Sequence, residues 1–401
     1  MENRLEELNL KLHSLVIFRG LLEDEGINLL SRLLESAGLP LLSRTDAYAA
    51  FAARLFGEGP DFTAYLWDRT AALENPYVKL RAEGRDDAAL RRCAEDELRF
   101  LTELSGFAGE RAQRALGLSG LPVWENTPMD FVAAYEARMA DIGRTGYGVY
   151  AKHNMFLVKD GSLRPVVFPD PVRLCDLKGY ERERGQVVEN TLALLRGRPA
   201  ANALLYGDAG TGKSSTVKAV VNEYAGEGLR LAEIRKDQIL EIPAVAEQLS
   251  RNPLKFILFL DDLSFTGQTE EAGVLKAILE GSASAKAQNI AVYATSNRRH
   301  LIGERFSDRG DDDIHRNETM EEQASLSERF GLRVNFGKPD KAQYLRIVEG
   351  ILEDRGIRMG QEERALRAER YALEHGGRSP RVARQFAEHL MSKAPCGRNE
   401  Q

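Results

Sequence analysis

The segment Gly207-Asp-Ala-Gly-Thr-Gly-Lys-Ser214 has the residue types and the spacing that bind the phosphate groups of a nucleotide. It matches the pattern GxxxxGK[ST] in full, and it lies between the apolar stretch Ala203–Tyr206 and a helical pattern. Glycines let the backbone curl so that its amides point at phosphate oxygens, and the helix N-terminus adds partial positive charge. The alternative is a glycine-rich turn that matches by chance, and the flanking strand and helix disfavour it.

We expect this loop to make most of the nucleotide contacts. Lys213 is predicted to neutralise the β- and γ-phosphates, and Ser214 is predicted to bind Mg²⁺ through its hydroxyl group. The predicted phosphate-binding residues are Gly207, Asp208, Ala209, Gly210, Thr211, Gly212, Lys213, Ser214 and Ser215.

Two neighbouring carboxylates follow a second apolar strand, Phe256–Leu260. If that strand lies beside the phosphate loop, Asp261 binds Mg²⁺, mostly through water, because magnesium keeps much of its hydration shell. Asp262 is then the candidate to polarise the water that attacks the nucleotide. Many ATPases of this architecture have glutamate there, so the shorter aspartate must act through a longer hydrogen bond or lie closer. The alternative for the pair is a solvated turn after a strand.

A third strand ends in Ala294-Thr-Ser-Asn297. A polar residue at the tip of a strand next to the metal-binding strand can sense the γ-phosphate and orient the water, and we assign this role to Asn297. The alternative is a polar cap on a strand end.

The composition limits the classes of protein to be considered. The chain has 401 residues, 43% of them hydrophobic, and a formal net charge of −6. The length favours two or three domains, and the acidic charge argues against a basic surface for duplex nucleic acid. The three cysteines, Cys93, Cys175 and Cys396, form no disulfide or zinc pattern.

The sequence also shows no pattern typical of a signal peptide or a membrane-spanning segment. The N-terminus lacks the order of a signal peptide, and no apolar run approaches the roughly 20 residues of a membrane-spanning helix. We therefore expect a cytoplasmic protein that does not interact with a membrane.

The elements that must position these residues are read from the hydrophobic pattern. Residues 1–150 are predicted to be a helical domain, in which leucines spaced by three and four favour core packing over a partner-binding face. Residues 151–170 are predicted to form a β-hairpin linker, with Met155–Val158 and Leu163–Phe168 around the turn pair Asp160-Gly161. Pro165 places its second strand at an edge.

Residues 171–338 alternate short apolar strands with helices, which predicts an α/β core with a parallel sheet flanked by helices. Residues 339–401 are predicted to form a smaller helical domain. The predicted strands are Ala203–Tyr206, Leu229–Ile234, Phe256–Leu260, Ile290–Thr295 and Leu332–Phe336, and the main predicted helices are Lys213–Ala225, Glu270–Gly281, Asp340–Arg355, Glu362–His375 and Arg381–Ser392.

The order and spacing of Gly207–Ser214, Asp261-Asp262 and Asn297 resemble those of the AAA+ P-loop ATPases. The segment Ser325-Leu-Ser-Glu-Arg-Phe-Gly-Leu332 is similar to the segment in which branch-migration motors and clamp loaders carry an arginine finger, which maps onto Arg329. The alternative for Arg329 is a surface salt bridge. Gly377-Arg-Ser-Pro-Arg-Val-Ala383 resembles the lid segment with the second sensor arginine, which maps onto Arg381, with Arg378 and Arg384 as nearby alternatives.

The segment Asp176-Leu-Lys-Gly-Tyr180 resembles the one that lies near adenine, so Gly179 and Tyr180 are expected to contact the base. The likeness is closest to a bacterial group of predicted AAA+ ATPases catalogued as a domain of unknown function, which combines the segments LDDLSF, ATSNRRHL and SLSxRFGL. All of these occur here, at Leu260–Phe265, Ala294–Leu301 and Ser325–Leu332.

The resemblance implies that ATP and Mg²⁺ bind between an AAA+ core and a C-terminal helical lid. It implies a homo-oligomer, in a ring or a filament, in which Arg329 of one subunit reaches the γ-phosphate of its neighbour while Arg381 couples the γ-phosphate to the lid. The expected function is ATP hydrolysis that remodels or loads a macromolecular partner, either a protein or a nucleic acid.

Two other functions remain open. One is a nucleotide-dependent assembly switch or scaffold with little turnover, which Asp262 in place of glutamate keeps possible. A weaker alternative is a small-molecule kinase, which the Asp-Asp strand, Asn297, Arg329 and a helical lid fit poorly.

Overall fold

The protein is described by a computed structural model that covers residues 2–263, 270–280, 287–297 and 326–393. Contacts divide the chain into two compact units. The first unit contains Met1–Lys152 and Arg251–Pro253, and the second contains His153–Ser250 and Leu254–Gln401. Ser325 and residues 264–265 and 298–301 of the motifs above lie outside the described residues.

The first unit is helical, as its leucine pattern predicts. Several helices begin at a side chain that accepts hydrogen bonds from first-turn amides, namely at Asp24, Asp61, Asn75, Asp87 and Asp130. The α-helices are α1 (Glu2–His13), α2 (Glu25–Glu35), α3 (Leu41–Phe56), α4 (Phe62–Ala72), α5 (Pro76–Ala82), α6 (Ala88–Ser105), α7 (Gly109–Leu116), α8 (Phe131–Ala140), α9 (Ile142–Thr145) and α10 (Val149–Lys152). Short 3₁₀ helices occupy Arg19–Glu23 and Ser36–Gly38.

The leucines at spacings of three and four form the core of this unit. Leu5, Leu8, Leu12 and Leu15 are all buried, and they belong to one apolar cluster with the aromatic side chains of α3, α4 and α8. Core packing is therefore the correct interpretation of the leucine pattern.

The second unit is built on a seven-stranded sheet with the order β2-β1-β4-β5-β6-β3-β7. All neighbouring pairs are parallel except β1 with β2. The central strands β5 and β6 are buried over nearly their whole length, as their apolar sequences require. The strands are β1 (Met155–Lys159), β2 (Ser162–Pro165), β3 (Ala203–Gly207), β4 (Leu229–Ile234), β5 (Lys255–Leu260), β6 (Ile290–Ser296) and β7 (Leu332–Phe336).

Helices connect and cover these strands. They are α11 (Glu181–Leu195), α12 (Lys213–Tyr224), α13 (Ile242–Ser250) and α14 (Glu270–Glu280), with 3₁₀ helices at Leu174–Asp176, Ala225–Glu227 and Lys236–Glu241. The parallel strands and flanking helices are the α/β core that the sequence predicts.

The hairpin forms around Asp160 and Gly161, whose φ values of 52° and 69° suit a two-residue turn. We expected it to link two domains, but β1 pairs with β4, so the hairpin extends the core sheet by two strands. Its second strand ends at Pro165 rather than Phe168. The Val166 amide still donates to the Met155 carbonyl oxygen at 2.9 Å, and the Phe168 side chain beyond it is 92% exposed.

The C-terminal lid consists of α15 (Lys341–Asp354), α16 (Gln361–Glu374) and α17 (Pro380–Lys393). Each agrees with its predicted range to within one residue at either end. Asp340 caps α15 by accepting from the Gln343 amide at 2.7 Å. Buried lid residues such as Tyr344 and Phe386 share one apolar cluster with residues of the core sheet. Within the described ranges, no helix is long and apolar enough to cross a membrane.

The side chain of Asp24 in the first unit connects the start of α2 to residues of α4. Its Oδ1 accepts from the amides of Gly26 and Ile27, at 3.0 and 3.1 Å, and from the Tyr65 hydroxyl at 2.7 Å. Its Oδ2 lies 3.3 Å from Arg69 Nε. Burial acts to raise the pKa of Asp24, but the hydrogen bonds from Tyr65 and Ile27 and the charge of Arg69 outweigh burial and lower the pKa below 3.8.

Replacing Asp24 by alanine is expected to lower the free energy of unfolding by about 1–3 kcal/mol, because a helix cap and two buried partners are lost. Because the folded-state pKa is depressed, the contribution is complete above the usual pKa of 3.8 and is lost as pH falls through the folded-state value. Urea denaturation followed by circular dichroism measures the change. The control is Asp46→Ala, at an exposed site on α3, and equal stability of the two variants would contradict the account.

Candidate nucleotide-binding site

The phosphate loop joins β3 to α12 at the carboxyl edge of the sheet. Gly207, Gly210 and Gly212 have φ values of 131°, 75° and 95°, which residues with a Cβ rarely adopt. Space is also limiting at the first of them, where a Cβ would lie 2.3 Å from the Phe336 carbonyl oxygen on β7. The glycines are therefore required by the local backbone.

Lys213 begins α12, and its ammonium group lies inside the loop. Its Nζ donates to the carbonyl oxygens of Gly207 at 3.0 Å and Asp208 at 2.7 Å, and to Asn297 Oδ1 at 2.9 Å. The residue is only 6% exposed. Burial lowers the pKa of Lys213, while the nearby carboxylates of Asp208 and Asp262 act in the opposite direction. A negatively charged phosphate in the loop would compensate this buried cation.

Oxygen ligands converge at the other side of the loop. Ser214 Oγ donates to Asp261 Oδ1 at 2.6 Å, and Thr295 Oγ1 donates to the same oxygen at 2.5 Å. They meet because β5, β6 and β3 are adjacent and parallel, so their carboxyl ends open at one edge. A hydroxyl and a carboxylate oxygen side by side are the donor types that Mg²⁺ prefers, so these residues fit a magnesium ion.

Asp262 and Asn297 are in direct contact. Asn297 Nδ2 donates to Asp262 Oδ1 at 2.7 Å, while its Oδ1 accepts from Lys213. The two contacts fix the orientation of the amide, because a carboxylate accepts only and an ammonium donates only. Asn297 thus links the cation of the phosphate loop to the carboxylate expected to polarise water.

These residues line a cleft of about 390 Å³. One wall is the phosphate loop with Asp261 and Asp262, and another is the lid helix α17. The lining residues are Asp176, Leu177, Lys178, Arg184, Ala209, Gly210, Thr211, Gly212, Lys213, Ser214, Ser215, Thr216, Asp261, Asp262, Thr295, Asn297, Phe336, Ile351, Pro380, Arg381 and Arg384. Of the predicted phosphate-binding set, residues 209–215 line the cleft.

Gly207 and Asp208 serve the loop in another way. Their carbonyl oxygens hold Lys213, and the Asp208 carboxylate accepts from the Lys338 amide at 2.8 Å. Their side of the loop is therefore fixed to β7 and the residues after it.

The lid reaches the phosphate loop through Arg381. Its backbone amide donates to the Gly210 carbonyl at 3.1 Å, and its side chain lines the cleft. A Cβ on Gly210 would lie 3.2 Å from the Arg381 Cβ, so the small glycine permits this approach. The predicted sensor arginine and the loop are thus in contact.

Other lining cations were not among the predicted site residues. Arg384 lies one helical turn after Arg381, so the three-residue spacing was a signal for it. Lys178 bonds to Asp354 Oδ2 at 2.6 Å, and Arg184 donates to the Gly179 carbonyl oxygen. Burial lowers the pKa of Arg184. No sequence motif indicates Lys178 or Arg184 as site residues. Both line the cleft because of the way in which the segment before the phosphate loop folds.

The predicted adenine contacts lie elsewhere. Gly179 and Tyr180 are not among the described residues that line the cleft, although their neighbours Asp176, Leu177 and Lys178 are. Tyr180 is 5% exposed and packs on Phe336 at 5.4 Å between ring centroids, and its hydroxyl donates to the Gly337 carbonyl at 2.6 Å. Its ring belongs to the apolar core cluster of the second unit, and its backbone has a left-handed φ of 59°.

Arg329 is half-buried and forms an ion pair with Glu280 at the end of α14. It is not among the described lining residues of the cleft in its own chain. Within the described residues, no group of three or more His, Cys, Asp or Glu side chains forms a metal cluster. A single carboxylate beside a hydroxyl, as at Asp261 and Ser214, is consistent with a metal that phosphates also bind.

Comparison with known proteins gives one family match. The sequence model of a family described as "Protein of unknown function (DUF815)" matches residues 151–394. The matched range contains the whole cleft and the lid.

Individual relatives are similar over shorter stretches. The replication factor C large subunit of Thermofilum pendens is 31% identical over 116 residues, which cover 27% of this chain and 28% of that protein. The replication factor C large subunit of Staphylothermus marinus is 31% identical over 114 residues, 27% of each chain. The chain thus spans about a quarter of the length of these relatives.

Among solved structures, the Holliday junction branch migration motor RuvB of Thermotoga maritima is similar, with 16% identity and a TM-score of 0.38. The likeness covers 55% of this chain and 65% of that chain.

Replacing Lys213 by alanine tests the cleft directly. The variant is expected to bind ATP at least about 10- to 100-fold more weakly, because charge-assisted hydrogen bonds to phosphate are lost. Fluorescence titration with a labelled ATP measures the affinity. Lys218→Ala is the matched control, because Lys218 lies on the same helix and pairs with Glu233 at 3.2 Å. Unchanged affinity in the Lys213 variant would place nucleotide binding elsewhere.

Proposed function

The chain belongs to the DUF815 family, and from this premise and the geometry of its cleft we propose that it is an ATPase of the AAA+ class. It binds Mg²⁺ and ATP between the α/β core and the lid. It hydrolyses ATP within an assembly of identical subunits in order to remodel or load a macromolecular partner.

One observation supports this proposal above the others. The phosphate loop, the Ser214–Asp261 pair, the Asn297–Asp262 pair and Arg381 of the lid all face one cleft. Phosphoryl transfer needs these parts together: a cradle for phosphate, a metal site, a group that orients water and a cation near the γ-phosphate. A small-molecule kinase needs, in addition, a pocket that holds the phosphate acceptor.

Different residues of the cleft bind the phosphates and the magnesium ion. Loop amides and Lys213 hold the phosphates, and Lys213 exchanges its carbonyl contacts for phosphate oxygens. Ser214 and Asp261 hold the magnesium ion, which when bound neutralises charge on the phosphates. The Arg381 side chain reaches the γ-phosphate, and its backbone amide bonds to the Gly210 carbonyl oxygen of the loop. Arg381 thereby couples the presence of the γ-phosphate to the position of the lid.

Asp262 and Asn297 act on the water. The Asp262 carboxylate accepts a proton from the attacking water or orients it, and Asn297 holds that carboxylate at 2.7 Å. Because Asn297 also bonds to Lys213, the same side chain responds when phosphate takes over the lysine. This arrangement is compatible with either slow or fast hydrolysis of ATP. The alternative function is therefore a nucleotide-dependent assembly switch with little turnover.

The assembly supplies the remaining cation. Arg329 lies outside the cleft-lining set of its own chain, so we propose that it serves the cleft of a neighbouring subunit. An arginine in this role raises the rate by roughly 10³ to 10⁵ in other nucleotide hydrolases. The ion pair between Arg329 and Glu280 then either exists only before assembly or persists beside the neighbour's site after assembly.

The partner is a protein or a nucleic acid, and the helical first unit recruits it. Two relatives are replication factor C large subunits, which suggests nucleic acid as one class to test. The net charge of −6 disfavours nonspecific binding to duplex DNA over the whole surface.

ATP hydrolysis per subunit, measured against protein concentration with Mg²⁺ present, tests the assembly. The specific rate is expected to rise with concentration, because each cleft is completed by a neighbour. A measurable rate that stays flat while the mass corresponds to a monomer at every concentration would contradict shared sites. No turnover by the assembled protein would favour the switch.

Asp262→Asn is expected to bind ATP with near wild-type affinity and to hydrolyse it about 10²- to 10⁴-fold more slowly, because an amide is a poor proton acceptor. Filter binding and phosphate release measure the two quantities. Glu233→Gln, on β4 of the same sheet, is the control for loss of a carboxylate. Wild-type turnover in the Asp262 variant would assign the water to another residue.

Arg329→Ala is expected to retain ATP binding and lose hydrolysis. Mixing it with Lys213→Ala protein should restore some turnover, because intact clefts then receive Arg329 from the other variant. Arg333→Ala removes an exposed arginine on β7 and should remain active. If mixing restores nothing while both variants co-assemble, Arg329 does not act between subunits.

A further inference from the structure

Thr295 lies near the carboxyl end of β6 and is almost fully buried, with 1% of its surface exposed. Its hydroxyl group makes two hydrogen bonds of opposite direction. Oγ1 donates to Asp261 Oδ1 at 2.5 Å and accepts from the Asp262 backbone amide at 2.9 Å. One hydroxyl group therefore contacts both residues of the acidic pair.

The contact with Asp261 orders the carboxylate. Asp261 Oδ1 accepts from Thr295 Oγ1, from Ser214 Oγ at 2.6 Å and from the Asp262 amide at 3.2 Å. Thr295 approaches from β6 and Ser214 from α12, on the other side of the loop. The Asp261 carboxylate is thereby held between the hydroxyl groups of Thr295 and Ser214. It points to the proposed magnesium position, where Ser214 also supplies an oxygen.

The contact with Asp262 orders the backbone. Asp262 has a φ of 52°, a left-handed conformation that is unfavourable for a residue with a Cβ. Thr295 holds this turn twice, because Oγ1 accepts the Asp262 amide and its carbonyl oxygen accepts the Leu263 amide at 2.7 Å. The turn sets the direction in which the Asp262 side chain leaves the chain, and that side chain then meets Asn297 at 2.7 Å.

We propose that Thr295 is a positioning residue of the nucleotide site, which sets Asp261 for magnesium and Asp262 for water through a single hydroxyl group. The inference rests on the proposed function and assigns a role to Thr295, which lies in the segment Ala294–Leu301 but is not among the predicted site residues. Thr295 acts through the two carboxylates, so its effect must depend on Mg²⁺. Serine keeps the hydroxyl group of threonine and loses its methyl group, whereas valine keeps the shape and loses the hydroxyl group.

This difference supplies a matched pair of variants. Thr295→Val removes both hydrogen bonds of the side chain and keeps its volume, whereas Thr295→Ser keeps both bonds and removes a methyl group. A fluorescent ATP analogue is titrated first in EDTA, and Mg²⁺ is then titrated at fixed analogue concentration. Steady-state hydrolysis of ATP gives kcat for the same proteins, and thermal unfolding shows that each is folded.

Thr295→Val is expected to raise the Mg²⁺ concentration at half-saturation about 10- to 100-fold and to lower kcat by a similar factor, which is typical when a residue that orients a metal ligand is lost. Its affinity for the analogue in EDTA should equal that of the wild type, because the phosphate loop is unchanged. Thr295→Ser should follow the wild type in both titrations.

Two results would overturn the role of Thr295. One is a Mg²⁺ dependence in Thr295→Val that matches the wild type, and the other is an equal defect in Thr295→Ser, which would make the methyl group and not the hydroxyl responsible. If Thr295→Val does not fold, Thr295→Ala replaces it as the variant without a hydroxyl group. A wild-type protein that binds no ATP analogue at all would instead refute the proposed function.

Discussion

The buried ammonium group of Lys213 is the constraint on which the candidate site depends. A buried cation is costly unless it is paired and hydrogen-bonded. Here it is bonded to two carbonyl oxygens of the loop and to Asn297, and the surrounding carboxylates offset part of the effect of burial on its pKa. The glycines with left-handed φ exist because those carbonyl oxygens must turn towards the ammonium group while the amides remain available to an anion.

From this cation a chain of hydrogen bonds extends to the acidic pair. Asn297 carries it to Asp262, and the turn at Asp262 carries it to Thr295 and Asp261. On the opposite side, the Gly210 carbonyl binds the Arg381 amide of the lid. In the proposed function, a phosphate that draws Lys213 away from its carbonyl contacts acts on the acidic pair through Asn297, while the Arg381 amide connects the same loop to the lid. This coupling is a physical basis for a nucleotide-dependent change in the chain.

The sequence predicts those features that depend on local pattern. The strands Leu229–Ile234 and Leu332–Phe336 and the start of α12 at Lys213 are confirmed as predicted, because apolar runs and a loop motif fix them locally. Features that depend on strand order are harder to predict. The hairpin joins the core sheet through β4, about 75 residues further along the chain. Tyr180 becomes a core residue through Phe336, which lies still further along the chain.

The same limit explains Thr295 and Arg184. A threonine in an apolar strand is ordinary in sequence, and its meaning appears only when β5 and β6 are adjacent. Arg184 reaches the cleft because the segment before the loop folds over it. Asn297 was predictable because a polar residue at a strand tip departs from the apolar pattern, whereas threonine is common within strands.

The most direct test of the account is a crystal or cryo-electron microscopy structure with Mg²⁺ and a non-hydrolysable ATP analogue. The account predicts phosphate density within the loop of residues 209–215, Lys213 bonded to the β- and γ-phosphates, and the metal beside Ser214 Oγ and the Asp261 carboxylate. Phosphate density outside this loop, or a metal that neither Ser214 nor Asp261 approaches, would contradict it.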